Sequence, residues 1–168
     1  MHYWQPIFLG KTLHYAISFS IIHQLFIRIE SLNLKLNVIQ TIFPVKEFAH
    51  LSCINISDNY IDSWLMLNAF DKFPGLTDVR LGKNPIHRAS GSLLFQVQSI
   101  ARVGKLEKLN GSTIATKDRV ECEIYYVNMC ALQRSEMTES ALADFDLENP
   151  RFLELAKSKN SKQSFSDI

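Results

Sequence analysis

The stretch Leu51-Ser-Cys-Ile-Asn-Ile-Ser-Asp-Asn-Tyr-Ile61 has aliphatic residues at its first, fourth, sixth and eleventh positions and asparagine at its ninth. The same spacing returns 25 residues later, over residues 76–86, and it also fits residues 29–39, which lie 22 residues earlier. A further copy begins with Leu106 and Leu109 and then departs from the pattern. A pattern that recurs with a period of this length indicates a solenoid of stacked repeats.

The spacing itself is that of a leucine-rich repeat. Residues two apart on a strand, such as Ile54 and Ile56, point to the same side of a sheet and can line one core. An asparagine side chain offers two donors and an acceptor to backbone groups at the turn, so we expect structural roles for Asn37, Asn59 and Asn84. We therefore predict an α/β fold, a leucine-rich-repeat solenoid with a short parallel sheet, convex helices and a C-terminal repeat cap.

The segments between the strands carry helical patterns. Over residues 62–73, Trp64, Leu67 and Phe70 recur at helical spacing and are expected to face the core. Residues 88–103 predict a longer helix, whose apolar stripe consists of Leu93, Leu94, Val97, Ile100 and Ala101. Pro44 and Pro74 lie shortly before the next strand, where a helix must stop.

Residues 103–127 fit a cap that covers the last apolar layer. Residues 103–109 predict a final strand, Asn110-Gly111 a tight turn and Ile114 an apolar plug. Thr116 is the expected N-cap of the next helix. On that helix, we expect the buried face to hold Val120, Ile124 and Val127, and the outward face to hold Arg119, Glu121 and Glu123.

These patterns divide the chain into four parts. Residues 1–28 are an apolar segment that matches nothing in the repeats, with a buried or poorly ordered segment, a signal-like segment and a membrane span all open as readings. Residues 29–103 hold the repeats and 104–130 the cap. Residues 131–168 are expected to form an acidic post-cap linker, a short helix and a disordered tail.

Composition and motifs argue against several classes of function. The chain of 168 residues has a net charge of +1, which argues against a strongly basic nucleic-acid binder. Its three cysteines form no C-x-x-C pair, its histidines are scattered, and it contains no phosphate-binding or hydrolase motif. We therefore expect no catalytic residue, no metal and no cofactor, and the chain is predicted not to be an enzyme.

Leucine-rich repeats bind partners with the concave sheet, at positions between the core residues. Arg80 is the best single anchor there, because arginine is enriched at binding hot spots. The predicted partner-binding residues are Asn33, Lys35, Asn55, Ser57, Asp78, Arg80, Lys83 and Lys108.

The cap carries a family resemblance. Leu106-Glu-Lys-Leu-Asn-Gly-Ser-Thr-Ile114, followed by Asp118-Arg119-x-x-Cys-Glu-x-x-Tyr126, is similar to the cap motif of leucine-rich-repeat proteins. With Ser57-Asp-Asn-x-Ile-x-x-Trp64 and Leu81-x-x-Asn84-Pro85, residues 29–159 resemble the tubulin-folding cofactor E family.

That resemblance implies a cytoplasmic, cytoskeleton-associated module that binds α-tubulin during heterodimer assembly, with other tubulin-folding cofactors as partners and neither nucleic acid nor membrane expected. The alternative is a generic repeat adaptor in another assembly, such as a ribonucleoprotein complex, because other repeat proteins share the cap. Family members also carry a glycine-rich cytoskeleton-associated domain, more repeats and a ubiquitin-like domain. The chain is therefore expected to be a fragment, a truncated gene model or a splice product.

Overall fold

A short curved sheet organises the molecule. The computed structural model describes residues 29–43 and 48–163, with side chains as far as residue 158; the predictions for residues 1–28, Pro44 and residues 164–168 lie outside this part. The strands stack in chain order, the first four parallel and the fifth antiparallel to the fourth. They are β1 (Ser31–Asn33), β2 (Cys53–Asn55), β3 (Asp78–Arg80), β4 (Lys108–Leu109) and β5 (Ser112–Thr113).

The core lies behind this sheet. The pairing register places Leu32, Ile54, Val79 and Leu109 side by side at the inward-facing position of successive strands. Ile54 and Val79 are almost fully buried, whereas Leu32 of the first strand is only half-buried. Burial of aliphatic side chains contributes about 25 cal/mol per Å² of apolar surface, so the second and third repeats hold more of the core's stabilisation than the first.

Asn59 joins the first repeat to the second. Its side-chain amide donates to the carbonyl of Leu34 at 2.9 Å and to that of Ile56 at 3.1 Å. Its Oδ1 accepts from the backbone N–H of Ile39 at 3.0 Å. One buried side chain therefore satisfies backbone groups of two neighbouring repeats where the chain bends away from the sheet.

Asn84 does the same one repeat further on. Its amide donates to the carbonyls of Ile56 and Leu81, both at 2.9 Å, and its Oδ1 accepts from the N–H of Ile61 at 3.0 Å. The residue is fully buried. Asn37, at the start of the series, donates only to carbonyls of its own repeat, those of Leu34 and Lys35.

Asn110 continues the bonding after the repeat pattern has ended. Its Oδ1 accepts from the N–H of Leu81 at 2.7 Å and from that of Gly82 at 3.0 Å. Asn110 (φ 52°) and Gly111 (φ 88°) form the predicted tight turn, and these positive φ angles suit a two-residue hairpin. The same asparagine thus closes the third repeat and opens the β4–β5 hairpin.

Two helices cover the convex side. Helix α1 (Trp64–Phe70) begins at Ser63, whose hydroxyl accepts from the N–H of Leu65, and it buries Leu67 and Phe70. Helix α2 (Pro85–Arg102) begins three residues before the predicted start, with Pro85 in the first turn, where its missing N–H costs nothing.

Helix α2 is interrupted at Gly91, and one residue of its predicted apolar stripe is exposed. Gly91 has φ 72° and ψ 165°, outside the helical region, so the turns before and after it do not share one phase. Leu93, expected in the core, is exposed, and the buried residues after Gly91 begin with Phe95.

Helix α3 (Thr116–Ser135) covers the last repeat with a face that differs from the predicted one. Ala115 rather than Thr116 is the N-cap, and no side chain caps it. Val127 is buried as expected, but Val120 and Ile124 are exposed, because Cys122, Tyr126 and Cys130 occupy the core side. The predicted boundary at residue 130 lies within this helix.

Two residues expected on the outer face of α3 point inward instead. Arg119 donates to the carbonyls of Ile100, at 3.3 Å, and Leu106, at the end of the last repeat. Glu123 is half-buried and lies 3.4 Å from a guanidinium nitrogen of Arg151. Both side chains therefore fasten the cap rather than face solvent.

The segment after the cap holds two helices where an acidic linker, one short helix and a disordered tail were expected. Helices α4 (Glu139–Glu148) and α5 (Pro150–Gln163) follow α3, and the latter runs through most of the predicted disordered tail. Phe145 and Phe152 are buried, with ring centroids 6.2 Å apart. This aromatic pair anchors the two helices to the hydrophobic core.

Arg102, at the end of α2, connects the repeats to these later helices. Only 4% of the residue is exposed, and its guanidinium donates to Gln98 Oε1 at 2.7 Å, Asn68 Oδ1 at 3.1 Å and Asn149 Oδ1 at 2.7 Å. It also donates to the carbonyl of Glu148 at 2.6 Å. Neutral oxygens thus hold a buried cation.

Aromatic faces complete the environment of this cation. The guanidinium carbon lies 6.0 Å from the ring centroid of Trp64 and 5.5 Å from that of Tyr126. Burial lowers the pKa of Arg102 and raises that of Tyr126, and the positive charge of Arg102 opposes the latter shift. Ring faces attract a desolvated cation, so they offset part of the cost of burying it.

We expect Asn84→Ala to lower the free energy of unfolding by about 3 kcal/mol, because each backbone group left buried without a partner costs about 1–3 kcal/mol. Urea unfolding followed by circular dichroism measures the change. Asn37→Ala is the matched control, since it removes bonds within one repeat only, and we expect it to cost less than about 1 kcal/mol. Equal losses from the two variants would contradict the bridging role of Asn84.

We expect Arg102→Lys to lower the free energy of unfolding by about 2–4 kcal/mol, because one ammonium cannot replace a planar fork that donates in several directions. Arg88→Lys is the control, because Arg88 is exposed and donates to one carbonyl, that of Lys83. It should cost less than about 0.5 kcal/mol in the same urea titration. A loss below 1 kcal/mol for Arg102→Lys would show that the buried contacts contribute little.

Candidate functional site

The concave side of the sheet carries the predicted binding residues in rows. The register aligns Asn33 with Asn55 and Asn55 with Arg80, so these three side chains lie on adjacent strands. A second row runs through Cys53, Asp78 and Lys108. The parallel sheet therefore brings together residues that are far apart in the sequence.

Two of these residues shape the ends of their strands. Asn33 Oδ1 accepts from the N–H of Lys35, and Asn55 Oδ1 accepts from that of Ser57, both at 3.2 Å. Such side-chain-to-backbone bonds two residues apart are typical of asparagine at turns. Arg80, next in the row, is exposed.

Three charges meet at the edge where the strands end. Asp58 Oδ2 lies 3.8 Å from Nζ of Lys35, and its Oδ1 lies 3.6 Å from Nζ of Lys83. The side chain of Asp58 is 17% exposed, against 45% for Lys35 and 71% for Lys83. A recessed carboxylate thus sits between two ammonium groups from neighbouring repeats.

Sequence reasoning identified both lysines but missed Asp58. A signal was available, because Asp58 directly precedes a repeat asparagine, as Lys83 does. The residue alone looks like an ordinary polar turn position. Only the stacking of repeats shows that it faces both lysines.

The backbone at this edge is unusual. Leu36, Asp58 and Lys83 occupy the same place in successive repeats, and all adopt left-handed backbone, with φ of 61°, 55° and 62°. Aspartate tolerates this region, whereas an aliphatic side chain does so at a cost of about 1–2 kcal/mol. Leu36 is also 74% exposed, so an apolar side chain is held in solvent by a strained backbone.

Groups that could do chemistry are sparse in the described ranges. No set of three His, Cys, Asp or Glu residues there could hold a metal ion. Cys122 and Cys130 are buried free thiols, and burial is the main reason that the pKa of each is raised. A higher pKa keeps a thiol protonated and unreactive.

Two further observations concern the histidines and the helices. The imidazole of His87 packs edge-on against Phe95, with ring centroids 4.6 Å apart, and His50 is exposed. Within residues 29–43 and 48–163, no helix has the length and apolarity that crossing a membrane requires. The candidate site is the concave face with its edge, where the rows of polar residues and the three charges lie.

We expect Leu36→Gly to raise the free energy of unfolding by up to about 1 kcal/mol. Glycine relieves the left-handed strain of the folded chain, and its greater conformational entropy in the unfolded chain cancels only part of that gain. Urea unfolding measures the change. Leu32→Gly, at a strand position that packs on the core, is the control and should lose more than about 1 kcal/mol. A loss of stability from Leu36→Gly would show that the leucine side chain contributes to packing.

Two curated relatives are similar to this chain in sequence. Over 110 residues, or 66% of the chain, it is 32% identical to Tubulin-folding cofactor E of Arabidopsis thaliana, of which the match covers 20%. Over 123 residues it is 28% identical to Tubulin-specific chaperone E of Danio rerio, with 68% of this chain and 23% of the relative covered. The chain thus spans about a fifth of the length of the curated relatives it matches.

Among solved structures, a chain of the crystal structure of the Drosophila melanogaster SNF/U2A′ complex matches with a TM-score of 0.53. The identity is 20%, and the match covers 60% of this chain and 57% of the other. No family model matches. The chain therefore has the predicted leucine-rich-repeat fold, and its predicted similarity to tubulin-folding cofactor E is confirmed.

Proposed function

We propose that this chain is a non-catalytic protein-binding module that binds α-tubulin through the concave face of its sheet during heterodimer assembly. The observation that supports this most is the sequence similarity to two proteins whose names describe tubulin folding and tubulin-specific chaperone action. The proposal places the chain in the cytoplasm, associated with the cytoskeleton, with other tubulin-folding cofactors as further partners.

The concave face suits protein recognition. Asn33, Asn55 and Arg80 form one polar row, and the half-buried Asp78 lies beside the exposed Lys108 in the next. Interfaces combine such polar groups with a few anchors, among which arginine is enriched. Because the parallel strands hold this surface rigidly, a partner gives up little conformational freedom to dock.

A repeat adaptor in another assembly, such as a ribonucleoprotein complex, is the competing function. The match to the SNF/U2A′ structure reflects the shared fold at 20% identity and carries no information about partners. The identity to tubulin-folding cofactor E is higher, at 32%. We therefore favour tubulin.

The test is capture of purified α/β-tubulin by the immobilised chain. We expect binding by the unaltered chain and a loss of tenfold or more in affinity from Arg80→Glu, in line with a hot-spot arginine at roughly 2 kcal/mol. Circular dichroism confirms that the variant is folded.

Lys117→Glu is the matched control, because it makes the same change of charge on the outer face of α3, where the lysine side chain is 84% exposed. It should leave tubulin capture unchanged. Failure to capture tubulin, or recovery of ribonucleoprotein subunits in its place from a cell extract, would overturn the proposal.

A further inference from the structure

Charge is distributed unevenly with depth on the candidate site. Lys35, Arg80, Lys83 and Lys108 are exposed, whereas Asp58 and Asp78 are half-buried. An approaching molecule therefore meets cations first, although the face as a whole carries both signs. Complementary charge across an interface steers association and selects the partner.

Asp58 leaves the two neighbouring lysines open to a further anion. Its oxygens lie 3.6 Å and 3.8 Å from the two Nζ atoms, which are ion-pair distances but longer than a direct charged hydrogen bond. Both ammonium groups keep much of their surface in solvent, since the lysine side chains are 45% and 71% exposed. Asp58 thus pairs with Lys35 and Lys83 without saturating them.

The spacing of these cations fits an extended chain. Lys35 and Lys83 belong to the first and third repeats, and adjacent strands lie about 4.8 Å apart, so their backbones are separated by about 10 Å. The two ammonium groups converge on Asp58, at 3.8 Å and 3.6 Å from its oxygens. Alternate side chains of an extended peptide point to the same side and lie about 7 Å apart. Two carboxylates with that spacing can reach both lysines together.

Leu36 adds an apolar contact at the same edge. It lies beside Lys35 in sequence and stands in line with Asp58 and Lys83 across the repeats. Because this side chain is 74% exposed, it is open to an apolar contact with a partner. A partner with only charged groups would leave it uncovered.

We propose that this edge, formed by Lys35, Leu36, Asp58, Arg80 and Lys83, binds an acidic, extended polypeptide segment that carries an apolar side chain among its carboxylates. The proposal rests on the proposed function and names the chemistry of the partner. A nucleic acid fits less well, because the rows described above present no aromatic side chain for base stacking.

The test uses a fluorescein-labelled peptide of five glutamates, one leucine and four glutamates, with binding to the full chain followed by fluorescence anisotropy. We expect Lys83→Glu and Lys35→Glu each to weaken binding by roughly fivefold or more, since each reverses one exposed charge. Lys117→Glu, on the cap helix, should change affinity by less than about 1.5-fold, because it lies away from the edge. Equal weakening by all three variants would overturn the proposal in favour of non-specific charge attraction.

Asp58→Asn tests whether Lys35 and Lys83 are available to a partner. Asparagine also tolerates left-handed backbone, so the substitution removes a charge and keeps the turn. We expect the acidic peptide to bind about two- to fivefold more tightly, because a competing carboxylate is lost. Unchanged or weaker binding would show that the lysines are not available to a partner.

Two further measurements separate this inference from its alternatives. A ten-nucleotide oligothymidine that displaces the acidic peptide at equal or lower concentration would overturn it in favour of a nucleic acid. Replacing the leucine of the peptide with glutamate should weaken binding at least twofold through loss of the contact with Leu36, and Leu36→Gly should remove that difference. An equal affinity for both peptides would remove Leu36 from the proposed site.

The inference and the proposed function can fail separately. Tubulin captured through Arg80 but not displaced by the acidic peptide would leave the function standing and overturn the acidic partner. Peptide binding with the predicted variant pattern, but without capture of tubulin, would support the acidic site and overturn tubulin as the partner.

Discussion

A bending backbone sets the constraint that the rest of this structure depends on. Each repeat turns away from the sheet directly after its strand, and the carbonyls and N–H groups at that turn are buried where water cannot reach them. Asn59 and Asn84 solve this by bonding to their own repeat and to the one before it. Because each asparagine spans two repeats, it fixes their register as well as their turns.

The end of the solenoid depends on a different polar group. The last apolar layer must be covered, and Arg102 ties α1, α2 and the junction between α4 and α5 into one network. A buried arginine bound to neutral oxygens is costly to desolvate, and such groups favour one arrangement over near alternatives more than they add stability. We infer that Arg102 sets the position of the later helices.

The repeated spacing made the central fold predictable. The wrong predictions fall in segments where no spacing repeats. The strands and the core positions Ile54 and Val79 follow from a spacing that repeats, so each copy supports the others, whereas the turn at Asn110 follows from the Asn-Gly pair. Leu93 was misplaced because its spacing fits the stripe of Val97 and Ile100, yet burial after Gly91 begins only at Phe95. The helix containing Phe145 was missed because four acids, Glu139, Asp144, Asp146 and Glu148, made the segment read as a linker.

The cap shows a second kind of limit. Arg119 and Glu123 look like surface residues by composition, yet their long side chains reach back to carbonyls and to Arg151. Helical spacing alone placed Val120 and Ile124 in the core, although the face that packs is centred on Tyr126. Which face of a helix is buried depends on the neighbour it meets, and that neighbour comes from elsewhere in the chain.

The candidate site inherits its geometry from the asparagine contacts. The residue before each repeat asparagine is forced into left-handed backbone so that the amide can turn inward, and this turn points Leu36, Asp58 and Lys83 outward in a line. Sequence reasoning therefore found individual members of the face but not the alignment of its charges, which exists only once repeats stack. The asparagine contacts that stabilise the fold thus also align Leu36, Asp58 and Lys83 across the repeats, and so position the surface for a partner.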